Sequence, residues 1–300
     1  MIKRVPFWLL ITVLLITFVS AEAQQPGKVF RIGFLTSTTA SGSAGLLEVF
    51  RQELSKLGWI EGKNITIEYR FAEQKSERLP ELAADLVRLK VDLIVVAATP
   101  SALAAKKATA HIPVVMAHAG DPVGVGLIAS LARPGGNVTG LSSLSTELNT
   151  KRLEILKDTI PRLERVGLLR SGLGNVREDP QLKELRPAAV VLKLKLEEID
   201  VQPDAKGLES AFNTAKQKQV DAIMTTPGRG FFAARKRIVE LAGKHRLPAI
   251  YPQKEFVEAG GLICYGADNA DIYRRAAVYV DKMLKGAKPA DLPVQQATKV

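Results

Sequence analysis

Val91-Asp92-Leu93-Ile94-Val95-Val96-Ala97-Ala98, running into Thr99-Pro100-Ser101 and an alanine-rich stretch that ends at Ala110, decides the fold. From Leu93 the apolar residues follow one another without the alternation of a half-solvated strand. Both faces must therefore be covered, as they are in parallel sheets. Pro100–Ala110 then reads as a helix, so the stretch is one βα unit. The same unit recurs on both sides. Upstream, Val29–Leu35 is a β-rich apolar run. Ala44–Leu57 has helical spacing, with Leu46, Leu47, Phe50, Leu54 and Leu57 on one side, and Gly58 stops it. Asn64–Phe71 alternates as a strand, and Ser76–Leu89 reads as a helix. Downstream come a strand at Ile112–Ala117, a helix at Val123–Ala132, a break at Pro134-Gly135-Gly136 and a short strand at Asn137–Leu141.

The pattern restarts with a helix at Thr146–Ile160 and a strand at Arg165–Leu169. A loop covers Gly172–Asn175, and Pro180–Leu194 is helical, with Pro187 starting or kinking it. Strands follow at Leu196–Val201, Val220–Thr225, Pro248–Tyr251 and Leu262–Tyr265. Helices follow at Leu208–Gln219, Phe232–His245 and Asp271–Leu284, with a helical turn at Glu255–Ala259 and an extended Pro289–Pro293. Repeated βα units imply parallel sheets with right-handed crossovers. There are more of them than one compact sheet holds. The expected class is α/β, with two doubly wound parallel-sheet lobes joined by a hinge. Lobe one is expected to comprise residues 24–142 plus 268–289, and lobe two 143–267 plus 290–300.

Residues 1–23 read as a cleavable export signal. Lys3 and Arg4 form the basic region, Val5–Val19 the apolar core, and Ala21-Glu22-Ala23 an A-x-A cleavage site, so the mature chain is expected to begin at Gln24. The apolar run is too short for a comfortable membrane span, and no cysteine near the site offers a lipid anchor. The expected location is the periplasm. A hydrophobic content of 46% with 24% charged residues marks a folded protein rather than a disordered one. Cys264 is the only cysteine, which excludes an internal disulfide and leaves stability to packing. The net charge of +11 is spread along helices, as in Arg235-Lys236-Arg237, and reads as solvated faces. No nucleic-acid-binding module carries it.

The strand ends are small and polar, and ligands of such sheets bind beyond the carboxyl ends of the strands. In lobe one these ends supply Thr36, Ser37, Thr38, Thr99, Ser101, His118 and Asp121, with Ser143 just past the first crossing between lobes. In lobe two they supply Gly172, Asn175, Thr226 and Tyr251, with Phe231 nearby, and Asp268 lies at the second crossing. Hydroxyls and free N–H groups at helix N-termini suit a carboxylate, although each such residue also serves as an ordinary cap. The reading is an amino-acid-like zwitterion. Its carboxylate sits at Thr99 and Ser101, its ammonium at Asp121 or Asp268, and its side chain against Phe231 and Tyr251. Catalytic signals are absent: there is no G-x-S-x-G elbow and no P-loop, and His111, His118 and His245 are not spaced for metal. No cofactor, no metal and no enzymatic activity are expected.

Several segments carry a resemblance. They are Asp121-Pro122-Val123-Gly124; Ser130-Leu131-Ala132-Arg133-Pro134-Gly135-Gly136-Asn137-Val138-Thr139-Gly140; Arg237-Ile238-Val239; Leu247-Pro248-Ala249-Ile250-Tyr251; Glu255-Phe256-Val257-Glu258-Ala259-Gly260-Gly261-Leu262; Tyr273-Arg274-Arg275-Ala276-Ala277; and Leu284-Lys285-Gly286-Ala287-Lys288-Pro289-Ala290-Asp291-Leu292-Pro293. They resemble bacterial ABC-transporter substrate-binding proteins of the tryptophan/tyrosine transport type, over nearly the whole mature chain. The resemblance implies a type I periplasmic-binding fold with a three-strand hinge. It also implies an aromatic or other amino acid as ligand, a monomer and an inner-membrane ABC permease as partner. Such proteins usually have an Asn-Pro-containing loop where this chain has Gly172–Asp179, often have Asp-Pro where it has Thr226-Pro227, and continue past the equivalent of Val300. A sensor of the same fold signalling to a membrane partner, and an exported α/β enzyme, are the alternative readings.

Overall fold

The computed structural model describes residues 28–143, 145–170 and 180–297. The export signal, Gly172 and Asn175 lie outside them. Two parallel sheets form two α/β lobes. The first sheet has the order β11-β5-β4-β3-β1-β2, built from β1 (Phe30–Thr36), β2 (Ile65–Phe71), β3 (Leu93–Ala97), β4 (Val114–Ala119), β5 (Val138–Ser142) and β11 (Gln295–Gln296). The second has the order β10-β9-β8-β6-β7, from β6 (Arg165–Arg170), β7 (Lys195–Asp200), β8 (Ala222–Thr225), β9 (Ala249–Tyr251) and β10 (Ile263–Cys264). Every residue of β3 is buried, as an uninterrupted apolar run in a covered sheet requires.

Helices cover both faces of each sheet. In lobe one, α1 (Ala40–Lys56) starts four residues before the apolar spacing indicates, because Thr39 caps it by accepting from the Gly42 N–H. It shares a core with α10 (Asn269–Leu284), the helix that returns from the far end of the sequence. Ile272, Tyr273, Ala276, Ala277, Val280 and Met283 of α10 are buried there beside Phe34, Phe50 and Val95. The Trp59 indole N–H donates to Asp281 of α10 at 2.9 Å. The other face is covered by α2 (Leu79–Arg88) and α3 (Thr99–Ala108). In lobe two, α4 (Ser145–Thr159) and α5 (Pro180–Val191) cover one face. The other is covered by α6 (Ala205–Gln217), α7 (Arg229–Ala233), α8 (Arg235–His245) and α9 (Lys254–Glu258). Pro187 lies inside α5, which runs on through it.

Four expectations are corrected. Val123–Ala132 is not a helix but a chain of turns. Asp121 takes the Gly124 N–H on its carboxylate, Gly126 adopts φ +71°, and Leu127 and Ile128 tuck into the core. The expected helix at Phe232–His245 begins earlier and is broken at Ala234 into α7 and α8. Residues 290–300 were expected with lobe two, but β11 pairs in parallel with β5, Gln295 opposite Leu141 and Gln296 opposite Ser142. From Leu292 to Ala297 the segment is tied to lobe one by hydrogen bonds. Leu292 O accepts from the Thr139 hydroxyl at 2.6 Å, the Val294 N–H donates to Leu131 O, the Tyr279 hydroxyl donates to Pro293 O, and the Ala297 N–H donates to Ser142 O. Pro289–Asp291 is a 3-10 turn rather than extended.

Because α10 completes a face that lobe one cannot cover with its contiguous segment, Ile272→Ala should destabilise the protein by about 2–5 kcal/mol. Chemical denaturation followed by tryptophan fluorescence measures this, Trp59 being hydrogen-bonded to the same helix.

Candidate functional site

The carboxyl ends of β3, β4 and β5 carry the irregular backbone of lobe one. Ala98, just past β3, has φ +91° and ψ 151°, a conformation costly for any residue with a Cβ. The register with β4 shifts between Val96 and Ala97, and that of β4 with β5 between Met116 and Ala119. Gly140 permits the second shift at φ +129°, where a Cβ would meet the Met116 backbone at 2.3 Å. Bulges and strained residues of this kind re-aim backbone groups and concentrate at functional sites. The first turn of α3 follows Ala98, which offers no capping side chain, and Pro100 has no N–H. The N–H groups of Thr99 and Ser101 have no intrahelical acceptor, so this end of α3 presents donors and the positive end of a helix dipole.

The side chains named from sequence divide into several groups. Thr99, His118, Ser143 and Asp121 come together around this edge. The Thr99 hydroxyl accepts from the Gly120 N–H at 3.1 Å, the Ala98 N–H donates to His118 O, and the Ser143 hydroxyl donates to Ala119 O at 3.1 Å. Thr36, Ser37 and Thr38 end the adjacent strand, where the Thr38 N–H points at the Thr36 hydroxyl. Ser101 is fully buried, and its hydroxyl has neither a partner nor exposed surface. Asp121 and Asp268 each spend one oxygen locally: Asp121 on Gly124 at 2.8 Å, and Asp268 as the cap of α10, taking the Asp271 N–H at 3.0 Å. Thr226 is buried beside Leu169 at the end of β6, its N–H donating to Leu169 O. Phe231 and Tyr251 are both in the lobe-two core. Tyr251 stacks on Phe256 with ring centroids 4.7 Å apart, and burial raises its pKa.

Sequence reading missed Arg152. It lies on α4, where a lone arginine passes for a solvated helix face, yet it is 1% exposed. Its Nη1 donates to Tyr265 O at 2.7 Å and its Nη2 donates to Asn149 Oδ1, while its Nε has no partner. Among the described residues no carboxylate pairs with it, and burial pushes its pKa down to about 9. The signal was present in the spacing: Asn149, Arg152, Leu153 and Leu156 fall on one helical face, and all four are buried. Among the described residues no cluster of His, Cys, Asp and Glu is arranged to hold a metal, and no helix is long and apolar enough to cross a membrane.

Two parallel-sheet lobes with polar strand ends define a binding protein of the periplasmic-binding type. Residues 43–300 match the family of ABC transporter substrate binding proteins, and the chain belongs to that family. It is a solute-binding component and performs no covalent chemistry. A tyrosine-binding protein of Clostridioides difficile (strain R20291) is 28% identical over 246 residues, which span 82% of this chain and 70% of the relative. The structure of an ABC domain in complex with L-Trp from Streptococcus pneumonia superposes with a TM-score of 0.78 at 27% identity, over 89% of this chain and 88% of the other. The ligand-free, open structure of a substrate-binding protein with adhesive properties from Clostridium difficile superposes at 0.68, with 26% identity over 90% of each chain.

Because the Ser101 hydroxyl is enclosed without a partner, Ser101→Ala should leave the melting temperature unchanged or raise it. Thr99→Val, which strands the Gly120 N–H, should cost about 1–3 kcal/mol. Differential scanning calorimetry of the two variants separates these outcomes.

Proposed function

We propose that the protein is the periplasmic receptor of an ABC importer, a monomer that closes its two lobes on an aromatic amino acid and presents it to an inner-membrane permease. The observation that carries this reading is the family match across residues 43–300. It is joined by two relatives whose names specify tyrosine and L-Trp. The closer superposition on the L-Trp complex than on the ligand-free open relative supports a clamp whose lobes approach one another.

Within the cleft, the ligand carboxylate belongs at the first turn of α3, held by the N–H groups of Thr99 and Ser101 rather than by the Ser101 hydroxyl. Carboxylates are favoured at such termini by the dipole and by unpaired donors together. The ammonium group belongs with Asp268, whose Oδ1 caps α10 and whose Oδ2 lies 3.9 Å from Arg274. That residue sits on the second crossing, so a contact there couples occupancy to closure. Only a ligand that favours the closed form can shift the lobes toward it. The aromatic side chain reaches lobe two, where Phe231 and Tyr251 back the cleft from within the core.

Isothermal titration calorimetry of the mature protein against L-Trp, L-Tyr and L-Phe tests the proposal. At least one should bind with a dissociation constant near micromolar, about −8 kcal/mol. Its carboxamide analogue should bind at least about tenfold more weakly, the loss of a charge-assisted contact. Small-angle scattering should show a smaller radius of gyration with the ligand present. Heatless titrations with all three amino acids, together with an unchanged radius, would sink the aromatic-ligand reading.

Asp268→Asn removes the charge while keeping an acceptor for the Asp271 N–H. Affinity should fall by about 1.5–3 kcal/mol with little change in apo stability.

A further inference from the structure

The two passages between lobes are rooted in lobe two on different elements. The first leaves β5 at Ser142 and enters α4 at Ser145; the second leaves β10 and enters α10 through residues 265–268. Arg152 joins these roots. Tyr265, the residue after β10, is held at both backbone groups: its N–H donates to Tyr251 O at 3.0 Å, and its carbonyl accepts from Arg152 Nη1 at 2.7 Å. Gly266 is then pressed onto Pro252 so closely that a Cβ would lie 1.8 Å from Pro252 O. Past Ala267, Asp268 caps α10, which packs in lobe one.

Stability alone does not account for this arginine. Among the described residues it is a buried cation without an anion, and Arg152 Nε, Asn149 Nδ2 and Thr150 Oγ1 are three buried donors without acceptors within four consecutive residues. None has surface for water or ligand. An apolar side chain would fill the space at lower cost, because a desolvated charge is repaid only by good pairing. What the guanidinium supplies is a planar fork with fixed geometry, one arm on Tyr265 O and the other on Asn149 Oδ1.

We propose that Arg152 is a positioning residue for lobe closure, locking the lobe-two end of the second passage to the helix that follows the first, so that both passages pivot from one rigid base. This rests on the reading of the protein as a closing clamp. Rotation is then confined to the two passages beyond this base, and the lobes move as rigid bodies.

The test uses the full mature chain carrying Cys264→Ser, with spin labels on Lys107→Cys in lobe one and Lys216→Cys in lobe two, both exposed positions. Arg152→Met with Asn149→Leu replaces the polar cluster by apolar side chains of similar size. The ligand-free distance distribution between labels should broaden by about twofold relative to the parent, with the melting temperature retained. A distribution as narrow as the parent's in a protein that melts at the same temperature overturns the proposal. If the double variant does not fold, Arg152→Lys is read by hydrogen exchange. The Tyr265 amide should lose protection by about tenfold or more while the Leu168 and Ile223 amides keep theirs. Uniform loss across lobe two, or no loss at Tyr265, overturns it. Neither readout uses a ligand, so a wrong ligand assignment above leaves both interpretable.

Discussion

The packing of α10 on the first sheet is the constraint on which the rest depends. A parallel sheet must be covered on both faces, and the contiguous part of lobe one supplies α2 and α3 for one face but only α1 for the other. The missing cover comes from residues 269–284, after the whole of lobe two has been built. The chain must therefore leave lobe one and return. Two passages between the lobes among the described residues follow from that requirement. The apolar stripe of α10, with Ile272, Ala276, Val280 and Met283 buried, thus does more than stabilise a core. It makes the molecule two-lobed.

Backbone strain is concentrated where the chain turns toward the cleft. Ala98 in a disfavoured conformation, the two register shifts of β4 and the close approach at Gly140 all lie at one sheet edge. The side chains at that edge are engaged in holding this geometry. Thr99 fixes Gly120, Ser142 donates to Gly120 O, and Ser143 donates to Ala119 O. The donors left open at that edge are consequently main-chain groups, with hydroxyls as their supports. Part of the positive charge lies at helix carboxyl ends. Lys90, Lys193 and Arg246 follow α2, α5 and α8 with φ near +55°, where a cation opposes the negative end of the dipole.

The architecture was legible in the sequence wherever hydrophobic periodicity was strong. The runs at Leu93–Ala97 and Val114–Ala119, and the helical stripes of α1 and α10, were located to within a few residues. The failures have local causes. Val123–Ala132 holds apolar residues at helical spacing, but Gly124 and Gly126 and the Asp121 carboxylate favour turns over a helix. Residues 290–297 have too few apolar side chains to announce a strand, and their place is set by hydrogen bonds to Leu131, Thr139 and Ser142 that no pattern encodes. The candidate site was legible as a set of polar strand ends, but not in the hydrogen bonds that its side chains make. A serine at a helix start reads the same whether its hydroxyl is open to the surface or, like that of Ser101, enclosed without a partner. Arg152 was hidden for the opposite reason, since charge on a helix ordinarily means solvent.

The strap that carries β11 runs beside β5 until the Ala297 N–H reaches Ser142 O, the carbonyl of the last β5 residue before the chain first leaves lobe one. A fluorescent reporter joined after Ala297 would therefore emerge next to a pivot rather than at a remote pole. Its orientation would follow the angle between the lobes, and its bulk would oppose full closure. A tag intended to be silent belongs at the amino-terminal side, ahead of β1, while one intended to report occupancy belongs on the strap.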